Sequence, residues 1–112
     1  EVGCKNWNGS TVNEIQEKVK RLVFDFGLET TPHIRLLDLL SELGEVSKDY
    51  LTLTKYGQLE IQKSRNWELA LGDVYFSLLC LANATDVDLG QALEKVLEKY
   101  QKRSESKGQI NS

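Results

Sequence analysis

Apolar residues recur along this chain at steps of three and four, the spacing of one helix face, in four separate blocks. In the first, Val12, Ile15, Val19, Leu22, Val23 and Phe26 follow a Thr11–Glu14 pair that fits a capping box. Gly27 stands where that helix should stop. The second block opens on Thr31 and Pro32, an N-cap with proline at the first helical position. It runs to about Thr54, with Leu36, Leu40, Leu43, Val46 and Tyr50 on its apolar side. Residues 55–66 are polar, contain Gly57, and predict a turn followed by the exposed opening of a third helix. Residues 67–84 are the most apolar stretch, and Asp73 is the acid in its interior. A helix that is hydrophobic on most sides is a buried helix. A carboxylate inside it is costly unless paired, protonated or bound to a metal. In the fourth block Asp88 and Gln91 form another capping box ahead of Ala92, Leu93, Val96, Leu97 and Tyr100. The connection through Thr85, Asp86 and Val87 is short, which predicts that the fourth helix packs antiparallel to the third.

Four helices and no strand pattern predict an all-α domain. Residues 1–10 lack periodicity and read as a flexible arm, with Trp7 as a candidate anchor. The helical domain is expected over 11–103, and residues 104–112 read as a disordered tail. Three short neighbours in a chain of 112 residues cannot cover so apolar a third helix. Burial between subunits of a homo-oligomer, a homodimer or homotetramer, is the simplest remedy.

A formal net charge of -3 gives no case for binding a nucleic-acid polymer. Cys4 and Cys80 are the only cysteines, and their placement suits free thiols better than a disulfide framework. No apolar run is long and uninterrupted enough to span a bilayer, and no leader-like segment is evident. The expectation is a cytoplasmic protein without a membrane partner.

Candidate chemistry lies in the acids. Asp38, Glu42, Glu45 and Asp49 follow steps of four, three and four, so they share one side of the second helix. One reading is a solvated face of an amphipathic helix. The other is an oxygen-donor metal site built from Glu42 and Glu45 and closed by Asp73 from another helix. Such a donor set suits Mg²⁺ or Mn²⁺ rather than zinc. His33 is the only histidine, and neither a phosphate-binding glycine loop nor a G-x-S-x-G motif is present. Lys95, Lys99 and Arg103 align along the fourth helix. They either complement the helix dipole or meet an anionic ligand.

These residues resemble a family. Residues 39–51 (L-L-S-E-L-G-E-V-S-K-D-Y-L) are similar to the E-x-x-E metal motif of the MazG-like all-α nucleoside triphosphate pyrophosphohydrolases, with Glu42 and Glu45 as its acids. Residues 71–83 (L-G-D-V-Y-F-S-L-L-C-L-A-N) and the run from Val87 to Arg103 resemble its second motif and last helix. The resemblance covers about residues 11–103 and implies a four-helix MazG-like bundle. It also implies Mg²⁺-dependent hydrolysis of a nucleoside triphosphate to monophosphate and pyrophosphate. Glu42, Glu45 and Asp73 would be the metal-binding and catalytic acids, and Lys95, Lys99 and Asn83 would bind substrate. Trp67 and Tyr75 could stack on a base, although core packing suits both. One position departs from the pattern. The second motif is E-x-x-D; Asp73 matches its aspartate, but Ala70 stands where the glutamate belongs. Glu68 could substitute only through a helix irregularity. Two alternatives follow: a nucleotide- or metal-binding regulatory protein of the same fold with little turnover, or a structural helix-bundle dimer with a solvated acidic stripe.

Overall fold

A computed structural model describes residues 9–107, with side chains described over 12–106. It contains α1 (Gly9–Asp25), α2 (Pro32–Leu53), α3 (Arg65–Ala84) and α4 (Leu89–Lys107), and no strand among the described residues. The expected arm lies mainly outside the described residues, as do Cys4 and Trp7. The first helix begins at Gly9, two residues before the Thr11 signal. The last helix runs one turn past Arg103, so only residues 108–112 of the expected tail lie outside the description.

Local chemistry accounts for the helix ends. Gly27 adopts φ +65°. Its N–H donates to Phe24 O at 3.1 Å, and the Leu28 N–H donates to Val23 O at 2.9 Å. This Schellman pairing satisfies the last carbonyls of α1. Thr31 is extended at the N-cap of α2, with Pro32 behind it. Its hydroxyl engages His33 Nδ1 at 3.2 Å instead of capping. The Ser64 hydroxyl accepts from Trp67 N–H at 3.1 Å to start α3, and Asp88 Oδ1 accepts from Gln91 N–H at 3.0 Å to start α4. The α2–α3 turn passes through Lys55, Tyr56 and Gly57, all at positive φ. Buried Thr54 holds this turn: its hydroxyl donates to Tyr50 O at 2.7 Å and accepts from Gly57 N–H at 3.0 Å.

Helices α2 and α3 pack on each other most extensively. At one end the rings of Tyr50 and Trp67 stand 6.1 Å apart. At the other end Arg35 and Cys80 line one cavity. The pair is therefore antiparallel. Half-buried or buried positions trace its seam: Arg35, Leu39, Glu42, Val46, Asp49 and Leu53 on α2, facing Trp67, Ala70, Val74, Ser77, Leu81 and Ala84 on α3.

Helix α4 packs chiefly on α1 rather than on α3, contrary to the expectation from its short connection. Buried Gln16 explains this. Its Nε2 donates to Asn83 Oδ1 at 2.9 Å and Val87 O at 2.7 Å, while its Oε1 accepts from Leu89 N–H at 3.0 Å. These bonds bring the start of α4 to α1.

The core of one chain is small. Among the described residues, Val23, Leu79, Cys80 and Ala82 are the buried apolar side chains. Leu40 of α2 is 65% exposed, and Leu36, Leu43, Leu69, Leu71, Phe76 and Leu97 are also open to solvent. The radius of gyration is 17.3 Å, against about 13 Å for a compact domain of this length. The third helix is thus not wholly buried, as its composition suggested; only its later half, at Ser77, Leu79, Cys80 and Ala82, is enclosed.

Candidate metal centre

The acidic stripe of α2 straddles the edge of the α2–α3 seam. Glu42 and Asp49 are half-buried in the seam, while Asp38 and Glu45 are exposed. Eight residues in from Tyr50 and Trp67, or seven in from Arg35 and Cys80, bring Glu42 level with residues 73–75 of α3. Asp73 therefore stands level with Glu42, and Ala70 lies near the level of Glu45. Asp73 itself is exposed, so a single chain carries no buried carboxylate there. Hydration removes the cost that its apolar neighbours implied.

Register brings Glu42 and Asp73 to one level, with Glu45 three residues further along α2, without forming a closed cage. Among the described residues of one chain, no three His, Cys, Asp or Glu side chains form a group that could hold a metal ion. The donor chemistry remains that of a hard, oxygen-preferring cation. Ala70 is half-buried in the seam near the level of Glu45, and its methyl group supplies no ligand. Glu68 is exposed in the first turn of α3, two residues from position 70. The helix is regular there, so Glu68 does not take that place.

The other expected residues are dispersed. Lys95 and Lys99 are exposed on α4. The Lys99 ammonium lies 5.3 Å from the Tyr100 ring centroid, and the Arg103 guanidinium lies 5.4 Å from it. Asn83 is engaged with α1: its Oδ1 accepts from Gln16, and its Nδ2 donates to Gln16 O at 3.2 Å. That role in packing was not foreseen, and neither was Gln16. A signal existed, because Val12, Gln16, Val19 and Val23 follow one helical line and Gln16 interrupts an apolar face. Trp67 and Tyr50 pair with each other at the seam's end, while Tyr75 is exposed.

Comparison with known proteins places the chain in a family. The MazG nucleotide pyrophosphohydrolase domain matches residues 11–107. The chain belongs to the MazG family. The uncharacterized protein YpjD of Bacillus subtilis (strain 168) is 30% identical to it over 101 residues, spanning 87% of this chain and 89% of YpjD. The crystal structure of YPJD from Bacillus subtilis, described as a candidate pyrophosphatase, superimposes with a TM-score of 0.65 at 33% identity. That match covers 78% of this chain and 88% of the other. The MazG assignment agrees with the four helices and supports a nucleotide pyrophosphohydrolase at family level. No helix among the described residues is long and apolar enough to cross a membrane.

Proposed function

We propose that this MazG domain is a Mg²⁺-dependent nucleoside triphosphate pyrophosphohydrolase. It would add water across the α,β-anhydride of an NTP or dNTP to release the monophosphate and pyrophosphate. The reading is supported by the MazG domain match over residues 11–107, together with the register that sets Asp73 level with Glu42, three residues before Glu45 on the same helix. These three acids are the proposed metal ligands, with Mn²⁺ as an alternative ion. A bound divalent cation would neutralise phosphate oxygens and activate water. Lys95 and Lys99 are proposed to meet the phosphates, and their exposure leaves them accessible to a ligand. Asn83 contributes to that end of the domain through its hold on Gln16.

The functional unit is proposed to be a homo-oligomer in the cytoplasm. Exposed leucines flank the acids on α2, and a second copy would bury them while enclosing the acidic face. Release of pyrophosphate from a panel of NTPs and dNTPs, with and without Mg²⁺, tests this reading. Failure to release it from every substrate would overturn it.

Ala70 supports a second reading: a nucleotide- or metal-binding regulator with little turnover. Here calorimetry would detect ligand binding without product formation. A large rate gain in Ala70→Glu would then identify the missing ligand as the cause.

A further inference from the structure

One cleft among the described residues lies away from Glu42, Glu45 and Asp73. It has a volume of about 440 Å³ and opens between α1, the α1–α2 loop and the adjoining ends of α2 and α3. Arg35 and Cys80 each lie seven residues from the acids of their own helix, Glu42 and Asp73. That is about 10 Å along the axis. The cleft's size falls within the range of small-molecule pockets. Its apolar wall includes Val23, Phe24, Cys80 and Ala84.

Arg35 gives the cleft its chemistry. Its side chain is only 12% exposed. One nitrogen, Nη2, donates to Leu28 O at 2.6 Å. The other, Nη1, lies 3.9 Å from Asp38 Oδ2, beyond hydrogen-bond reach, and that carboxylate is 54% exposed. A guanidinium carries five N–H donors. This one is largely buried, its ion pair with Asp38 is long, and donors are left unpartnered among the described residues. Lys20 and Arg21 join Arg35 on the lining, against two carboxylates, Glu17 and Glu29. Among the lining residues three cationic side chains meet two anionic ones, with Asp38 beside Arg35 as its ion-pair partner. The shape offers an apolar wall and the charge offers an oxyanion seat. Burial pushes the Cys80 thiol up; Arg35 draws it down and Asp38 adds to the rise, which places both charges within influence of the cleft wall.

We propose that this cleft is a second ligand site, separate from the acidic face, for a small organic anion. Its carboxylate or phosphate monoester would pair with Arg35, and its aromatic or aliphatic body would lie on the apolar wall. Guanidinium pairs with both oxyanions in bidentate geometry.

Calorimetry on the full chain, with benzoate, phenyl phosphate, benzamide and inorganic phosphate as probes, tests this. Alkylation of Cys80 in a Cys4→Ser background reports where each probe binds. Benzoate or phenyl phosphate should bind and slow Cys80 alkylation, and the favoured probe tells carboxylate from phosphate. Benzamide and inorganic phosphate should bind about tenfold more weakly, each lacking one half of the recognition. Arg35→Gln should lose the binding by a similar factor. If that variant fails to fold, the Lys20→Gln, Arg21→Gln double variant should weaken binding and flatten its salt dependence. Benzamide binding as well as benzoate would overturn the proposal. So would an unprotected Cys80, the absence of binding by any probe, or binding abolished by Glu42→Gln. None of these readouts uses nucleotide turnover, so they separate this site from the proposed enzyme activity.

Discussion

Gln16 and Asn83 exchange two hydrogen bonds across the α1–α3 contact, at 2.9 and 3.2 Å. Gln16 uses its remaining polar capacity on Val87 O and Leu89 N–H, so one buried amide ties three helices together. Gln16→Ala leaves these partners unmet and should lower unfolding stability by about 2–3 kcal/mol. Urea denaturation checks it. Asn83→Ala should also destabilise the domain. An Asn83 variant of unchanged stability and raised KM would instead assign that side chain wholly to substrate.

The polar start signals of α3 and α4 are directly testable. Ser64→Ala and Asp88→Ala each remove an acceptor for an N-terminal helix N–H. Each should cost about 1 kcal/mol, while Thr31→Ala should cost less because its hydroxyl makes no capping bond. Thermal unfolding of the three variants gives the comparison.

Cys80 predicts a pH dependence. Burial raises its pKa above the ordinary 9.0, outweighing the pull of Arg35. The folded state then holds the thiol proton more tightly than the unfolded state. The resulting stability is fully present below the unfolded pKa and is lost as pH rises through the folded one. Stability should therefore fall in the alkaline range above pH 9, and this fall should be smaller in Cys80→Ala. Denaturant titrations at stepped alkaline pH check the sign.

The exposed α2 leucines make a prediction about assembly. The 12.7 kDa chain should sediment as an oligomer. Leu40→Glu should shift it toward a single copy, because a charge on the covered apolar face opposes association. Light scattering after size exclusion measures both masses.

Much of this architecture was legible because helices announce themselves locally. Gly27, Pro32 and the Asp88–Gln91 pair mark ends that the structure retains. The placement of α4 was not legible, because a short connection does not reveal that Gln16 draws the helix start toward α1. Depth was also misread along α3. Leu69, Leu71 and Phe76 look like core residues in composition, yet the described residues of one chain leave them open to solvent. At the acids, spacing identified Glu42, Glu45 and Asp73 as candidates. Their grouping depends on tertiary packing, and the described residues of a single chain do not close it.

Titrating Mn²⁺ into the assembled protein by calorimetry tests the metal-binding role of the α2–α3 acids most directly. Binding should be saturable, lost in both Glu42→Gln and Asp73→Asn and tightened in Ala70→Glu. Equal binding by all four proteins, or none by any of them, would contradict that role.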